Sequence, residues 1–381
     1  MTDATATIRR PEPGAAATSR RRRPLAAIDL LKAYAIFGVL WQHTVPRTVT
    51  EHAMGNLWIR PAVPIFFVLL GLNLAGSLSR QGPLDATGVK TYMLRRLDRL
   101  ALPLLLVLAA AYVLAVARGR LHASAGLLLG GLPVNAPGNY FIPGLIGVIV
   151  LMPIVVAAYR RWPVATLVGC IAINVGFEVA AAWSRDAGLG ALGTGTLAYQ
   201  GCPLRYLALV GFGVWLSTDQ RLRARRNAPL LALAVLSAAF LVVEQLRPDL
   251  FPFLPPGFLG VTNYLAAPWA VLLVMLGLRF LPAGEPQSAP ARSGVLIGRA
   301  SFHVYLVQML FIGLVFSIWG DRLRDPWTAV AVAPITMLVA VALGVLYFRL
   351  VPGDLGLERL GRGRRSRADT AALGVRTGPP T

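Results

Sequence analysis

Three ionisable side chains, Asp29, Lys32 and His43, occur in the largely apolar stretch AIDLLKAYAIFGVLWQHTVP at residues 27–46. An ionisable group at the centre of a membrane helix costs roughly 2.5–3.5 kcal/mol on insertion scales, so each one is a candidate for function. At 100° per residue, Lys32 and His43 return to within about 20° of one another, and Asp29 lies within about 60° of both. The three groups form one polar stripe, which we expect to face the interior of a helix bundle because lipid cannot hydrate it.

This polar stripe has two interpretations. An imidazole changes its protonation state near physiological pH and is suited to proton transfer or nucleophilic attack. The helical rise places His43 about 16 Å along the axis from Lys32. Alternatively, Asp29 and Lys32 form a structural ion pair and His43 is a hydrogen-bonded packing residue. The residues alone leave both interpretations open.

The composition indicates a membrane protein. Of the 381 residues, 56% are hydrophobic and 14% are charged, whereas about a quarter of the residues in soluble domains are charged. Apolar stretches near the length that crosses about 30 Å of hydrocarbon occur at about 26–46, 57–79, 100–117, 139–159, 163–183, 196–217, 228–246, 258–281, 296–318 and 326–350. We therefore predict an all-α, polytopic integral membrane helix bundle with about ten transmembrane helices.

The charge distribution predicts the orientation of this bundle. The net charge of +20 comes from 37 Lys and Arg residues against 17 Asp and Glu residues. The basic residues gather in both tails and in every second loop, so the positive-inside rule places both termini in the cytoplasm. Membrane lipids, and not nucleic acid, are the partners that this distribution indicates.

The chain is predicted to contain one membrane domain with a tail at each end. Residues 1–23 are expected to form a disordered basic cytoplasmic tail, 24–352 the transmembrane domain and 353–381 a second basic cytoplasmic tail. Between the eighth and ninth spans, LPAGEPQSAPARSGV at 281–295 is typical of a flexible loop.

Arg96 and Arg99 lie at the cytoplasmic edge of the third predicted span, three residues apart and so on one helical face. They are either ordinary anchors of a membrane helix or a pair of guanidinium groups that binds a phosphate-rich ligand.

Further polar side chains fall in the outer half of the predicted bundle. They are Asn174, Glu178, Gln200, Arg205 and Glu244. Glu178 and Arg205 either form a buried pair that serves packing alone or line a polar pocket for a hydroxyl-bearing substrate. Both interpretations stay open.

The ninth span carries Ser301, Tyr305 and Gln308, whose spacing of four and three residues places them on one helical face. His303 lies about 200° from Ser301 on the helical wheel. We therefore interpret His303 as a structural residue.

Five segments share a recognisable pattern. They are Asp29-x-x-Lys32 followed by His43, VPIFFVLLGLNL at 63–74, YMLRRLDRLALPLLL at 92–106, NYFIPGLIGVIVLMP at 139–153 and IGRASFHVYLVQ at 297–308. In this order they resemble the membrane-bound acyltransferase-3 family, whose members move acyl groups onto cell-envelope glycans and related acceptors. The resemblance runs from residue 28 to about residue 310.

The chain departs from the family's pattern at several positions. Lys32 stands where the family has Arg, which keeps the charge but loses bidentate hydrogen bonding. Gln308 stands where the family commonly has His, so no proton transfer can be carried over to that position. Leu70 replaces the usual Ser, and no Glu follows Tyr140.

The resemblance implies an integral-membrane acyltransferase, specifically an O-acyltransferase, in the bacterial cytoplasmic membrane. It makes His43, Lys32 and Asp29 candidate catalytic residues, with His43 as general base or as transient carrier of the acyl group. Arg96 and Arg99 become candidates for binding acyl-CoA, which would be a co-substrate and not a bound cofactor.

The acceptor, a glycan or a lipid-linked molecule, is expected to bind near Glu178, Arg205, Ser301 and Tyr305. The two cysteines of the chain suggest no metal site.

Two other functions fit a polar stripe inside a helix bundle. A transporter or a flippase of a lipid-linked sugar also places charges inside the membrane, although the sequence shows no paired interrupted helices. A membrane scaffold that has lost catalysis would explain the departures at Lys32 and Gln308.

Overall fold

The computed structural model describes residues 26–80, 84–117, 138–186, 197–218, 228–247, 250, 264–320 and 325–351, and all regular secondary structure within these ranges is helical. The helices in chain order are α1 (Ala26–Thr44), α2 (Arg47–His52), α3 (Gly55–Trp58), α4 (Ala62–Arg80), α5 (Ala86–Ala117), α6 (Phe141–Arg161), α7 (Pro163–Asp186), α8 (Leu197–Gln200), α9 (Leu207–Thr218), α10 (Ala228–Leu246), α11 (Ala267–Phe280), α12 (Ala289–Arg299), α13 (Ser301–Trp319) and α14 (Pro326–Leu350). The predicted tails at 1–23 and 353–381 lie outside the described residues.

Within the described residues, each predicted span overlaps one helix or consecutive helices. Within the described ranges, six segments are long and apolar enough to cross a membrane: Gly55–Arg80, Ala86–Ala117, Phe141–Arg161, Pro163–Ser184, Ser301–Trp319 and Pro326–Leu350. Shorter apolar segments are Pro203–Ser217, Leu230–Leu246 and Ala267–Phe280. The chain is thus an all-α, multi-pass membrane bundle, whereas the count of ten crossings and the side of the termini stay predictions.

The helix α1 is surrounded by other helices. It packs against α4, α11, α12, α13 and α14, and Phe37 is its one exposed side chain. Large apolar side chains are instead exposed on the outer helices, among them Trp183 on α7, Leu236 on α10 and Ile335 on α14. This arrangement is expected in lipid, and it places the polar stripe of α1 in the interior.

The third predicted span begins too late, because α5 starts at Ala86 and continues through Pro103 to Ala117. Asp85 accepts a hydrogen bond from the Gly88 N–H at 2.7 Å, which caps the helix start. Hydropathy identifies only the apolar half of such a helix. Arg96 and Arg99 therefore lie within α5 and not at its edge.

The predicted flexible loop at 281–295 is wrong for its second half, because residues 289–295 belong to α12. Pro290 lies in the first turn of the helix, where its missing N–H group costs no hydrogen bond. Val295 and Gly298 are buried against the bundle while the other face of α12 is largely exposed. The composition of the stretch suggested a loop, but its apolar spacing follows a helix.

Two predicted spans are interrupted. The span at 196–217 consists of α8, a 3₁₀ turn at Pro203–Tyr206 and α9, and the span at 296–318 has a break at Ala300 between α12 and α13. The lack of visible interruptions in the sequence is therefore no argument against a transporter. Breaks of this kind in membrane proteins occur where the backbone is buried in protein or lines a cavity.

The predicted outer loop at 47–56 is partly helical and is tied to its neighbours by side chains. Trp41 donates from Nε1 to Thr50 Oγ1 at 3.0 Å, and Gln42 donates to the Ile59 carbonyl at 2.8 Å. Trp269 on α11 donates to the Leu57 carbonyl at 2.8 Å. The segment at 46–61 thereby forms a fixed strap over the end of α1 that carries His43.

Candidate active site

At the N-terminal end of α1, a carboxylate lies between two cations. Asp29 is 6% exposed; its Oδ1 lies 3.1 Å from Lys32 Nζ, and its Oδ2 lies 3.3 Å from Arg299 Nε. The ion pair considered from the sequence is present, but it is half of a three-residue cluster. Because one carboxylate cannot balance two cations, the cluster keeps an excess positive charge.

The close approach of α12 to α1 brings Arg299 to Asp29. A Cβ at Gly298 would lie 1.8 Å from the Asp29 carbonyl oxygen, so the two backbones are in direct contact. Small residues permit such contacts between membrane helices. The glycine before Arg299 therefore sets the position of the second cation.

His43, at the opposite end of α1, meets residues from α13 and from the start of α6. The imidazole is half-buried, and among the described residues no hydrogen bond to it is found. A Cβ at Gly138 would lie 3.2 Å from His43 Nε2 and 3.0 Å from Tyr305 Oη. The imidazole and the tyrosine hydroxyl thus flank the same glycine.

Gly138 is held in place at its carbonyl. Its oxygen accepts a hydrogen bond from the Phe141 N–H at 3.0 Å and another from the Tyr305 hydroxyl. Its φ of +84° lies in the left-handed region that favours glycine.

Stacked and tilted aromatic rings connect this point to α9. The Tyr305 ring centroid lies 4.8 Å from that of Phe141, Phe141 lies 5.3 Å from Phe67, and Phe67 stacks on Tyr206 at 3.8 Å. Phe67, Tyr206 and Tyr305 are buried. These rings form a packed aromatic row between two polar clusters and not an open groove.

The second polar cluster is built on Glu178 and Arg205. Arg205 Nε lies 3.0 Å from Glu178 Oε1, and both side chains are at least nine-tenths buried. Tyr199 donates its hydroxyl to Glu178 Oε2, and the guanidinium carbon of Arg205 lies 4.3 Å from the Tyr199 ring centroid. The predicted pair is therefore real, and its carboxylate already has two partners.

Glu244 and Asn174, two other polar residues of the predicted outer half, occupy separate places in the bundle. Glu244 does not join the Glu178 cluster but binds Arg60 at 3.2 Å and Asn56 at 2.7 Å, which ties α10 to the strap. Asn174 is fully buried on α7, one helical turn from Glu178, and its amide atoms lack a hydrogen-bond partner among the described residues.

Arg96 and Arg99 belong to a cluster of three arginines. Arg96 is half-buried with its guanidinium carbon 6.0 Å from the Tyr92 ring centroid, and Arg99 is exposed. Arg80, at the end of α4, lies within electrostatic range of Arg96. Three like charges in one place repel one another, so an anion would stabilise this arrangement.

The candidate residues of α13 separate according to helical face. Tyr305 reaches Gly138, and Ser301 is buried at the start of the helix. His303 contacts the rings of Tyr347 and Phe348 on α14, at centroid distances of 5.5 and 5.2 Å. It therefore lies on a different face from Tyr305, in agreement with its predicted angle.

Gln308, at the position where the family commonly has His, is fully buried. In the described part of the chain its amide atoms have no hydrogen-bond partner.

The sequence did not single out four residues that complete these clusters: Arg80, Gly138, Tyr199 and Arg299. Each lies on a different element from its partners, so spacing within one helix could not reveal it. The described residues contain no group of three His, Cys, Asp or Glu side chains that could hold a metal ion.

Comparison with known proteins gives one match. A family model described as "Acyltransferase domain" matches residues 25–348. No curated protein and no solved structure matches the chain. The matched range includes every candidate residue from Asp29 to Gln308.

Proposed function

Because the chain belongs to this acyltransferase family over residues 25–348, we propose that it moves an acyl group from acyl-CoA to a hydroxyl of a cell-envelope glycan or related acceptor. The observation that carries the proposal is His43, a half-buried imidazole with no hydrogen bond among the described residues, placed against Tyr305 and Gly138. A base or nucleophile needs one ring nitrogen free to accept a proton or an acyl group.

The chemistry assigned to His43 is a simple transfer. The acceptor oxygen attacks the thioester carbonyl, a C–O bond forms, and the C–S bond to CoA breaks. His43 takes the proton of the acceptor hydroxyl and returns it to the CoA thiolate. In a second route, His43 attacks the thioester first and carries the acyl group as a covalent intermediate. A burst of CoA release in the absence of acceptor would distinguish this route from general-base catalysis.

The donor is assigned to the arginine and lysine clusters of the predicted cytoplasmic side. Arg96 and Arg99, with Arg80, would bind the phosphates of acyl-CoA, because clustered guanidinium groups form strong charge-assisted hydrogen bonds with phosphate. Lys32, oriented by Asp29, would bind polar groups of the donor between this entrance and His43.

The acceptor is assigned to the Glu178 and Arg205 cluster, with Ser301 and Tyr305 as further contacts. A carboxylate and a guanidinium together offer acceptors and donors for hydroxyl groups. The aromatic row from Tyr305 to Tyr206 supports this assignment, since it joins the cluster to the residues around His43.

The decisive experiment uses the purified full chain in lipid nanodiscs with radiolabelled acetyl-CoA and follows both CoA release and labelled product. His43→Ala is expected to lower the rate at least about a hundredfold, the usual contribution of a general base. His52→Ala is the matched control, because this exposed histidine lies on the strap and hydrogen-bonds to the Thr48 carbonyl within its own helix.

An unchanged rate in His43→Ala would remove His43 from the mechanism. Absence of CoA release from the wild-type protein, together with movement of a lipid-linked sugar across vesicles, would favour a transporter or flippase instead.

A further inference from the structure

Gly138 and His43 are in close contact although they belong to elements far apart in the chain. Since a Cβ at position 138 would lie 3.2 Å from His43 Nε2, a methyl group there would crowd the imidazole. Within the described residues no hydrogen bond orients the imidazole. The position of Gly138 beside the imidazole is therefore a constraint on where Nε2 can lie.

The position of Gly138 in turn depends on Tyr305. The hydrogen bond from the Phe141 N–H to the Gly138 carbonyl joins residues three apart at the start of α6, so it does not fix Gly138 relative to other helices. The Tyr305 hydroxyl bond to the same carbonyl crosses from α13 and is the lateral constraint. The Tyr305 ring packs on Phe141 at 4.8 Å, so removing the hydroxyl alone would leave the ring contact in place.

We propose that Tyr305 and Gly138 act as one positioning unit for His43: the tyrosine hydroxyl fixes the glycine backbone, and the glycine backbone fixes the imidazole. The inference rests on the proposed function of His43. It makes Tyr305 a positioning residue that acts through Gly138. A misplacement of a reacting group by about 1 Å costs up to a hundredfold in rate, so such a unit has a measurable effect.

The test compares Tyr305→Phe, Gly138→Ala and the double variant in the nanodisc assay. Tyr305→Phe is expected to lower kcat about tenfold to a hundredfold. The KM for acetyl-CoA should stay unchanged, because the phosphates of the donor bind elsewhere. Gly138→Ala should lower kcat as well, and the double variant should be no worse than the poorer single variant, since both changes act on one contact.

Tyr347→Phe is the matched control. Its hydroxyl also donates to a backbone carbonyl across two helices, that of Pro103 at 2.7 Å, and not to Gly138. Its kcat should equal that of the wild type, and thermal unfolding of all variants reports on folding.

Wild-type kcat in Tyr305→Phe would overturn the inference, and so would kcat losses of the two single variants that multiply in the double variant. Should Gly138→Ala fail to fold, the kcat and KM of Tyr305→Phe still decide. Failure of the proposed function gives a different result. His43→Ala would then retain acyl transfer, whether or not Tyr305→Phe lowers kcat.

Discussion

The contacts of Asp29 are compatible with both interpretations of the polar stripe, a structural ion pair and a functional site. Asp29 pairs with Lys32, as a structural role requires, and it also binds Arg299 from a distant helix. Since two cations share one carboxylate, the cluster keeps an excess positive charge. The i, i+3 spacing offered the pair as one of two interpretations, but it could not indicate Arg299, whose contact is not local.

The Glu178 and Arg205 pair allows the two open interpretations to be separated. Replacing a buried ion pair by apolar residues of similar volume is often neutral for stability, whereas removing one partner costs about 3–5 kcal/mol. We predict that Glu178→Leu with Arg205→Met unfolds below the wild-type temperature only by the cost of the lost Tyr199 hydroxyl bond, but loses transfer to the acceptor. CoA release by slow hydrolysis should remain.

The matched single variant Arg205→Met should unfold at a clearly lower temperature, because it leaves a buried carboxylate with one partner fewer. Full acyl transfer by the double variant would assign the pair to packing alone.

At the scale of helices, the contact between α1 and α12 depends on a single glycine. We predict that Gly298→Ala separates the two backbones, because its methyl group would lie 1.8 Å from the Asp29 carbonyl oxygen. The Arg299 bond to Asp29 should then be lost and the unfolding temperature should fall. Differential scanning fluorimetry measures the change.

Gly176→Ala on α7 is the control for that substitution. A Cβ there meets nothing within 4 Å, and alanine favours helix over glycine. An unfolding temperature for Gly298→Ala equal to or above that of Gly176→Ala would refute the proposed contact.

The positions of most helices were predictable from the sequence, because an apolar run of about 20 residues indicates a transmembrane helix. The start of α5, the helix α12 and the breaks at Cys202 and Ala300 were not predictable. The charged first half of α5 lacks an apolar signal, and the Pro, Ala and Ser residues before α12 resemble a loop. Helix breaks depend on tertiary contacts that local composition does not contain.

At the scale of the whole molecule, the orientation of the bundle remains to be measured. We predict that a cysteine introduced at His52 reacts with a membrane-impermeant thiol reagent in intact cells, in a background without Cys170 and Cys202. A cysteine at Arg292 on α12 should react only after the cells are opened. The reverse pattern would invert the topology predicted by the positive-inside rule.

The candidate site was partly predictable for the same reason as the helices. The stripe on α1 and the faces of α13 follow from helical spacing within one segment. His43, Gly138 and Tyr305 lie on three different segments. Helical spacing within one segment therefore cannot predict that they lie close together. The proximity of Arg80 to Arg96 likewise joins two helices.

The most direct test of the account is the location of a bound donor. A single-particle structure of the full chain with a non-transferable thioether analogue of acetyl-CoA would measure the distance from its carbonyl carbon to His43 Nε2. We predict that the carbon lies near Gly138, placed so that an acceptor oxygen hydrogen-bonded to Nε2 lies within about 3–3.5 Å of it, as near-attack geometry requires, with the phosphates at Arg96 and Arg99. An acyl group bound elsewhere, with His43 closed off from it, would contradict the assignment of His43 as the reacting residue.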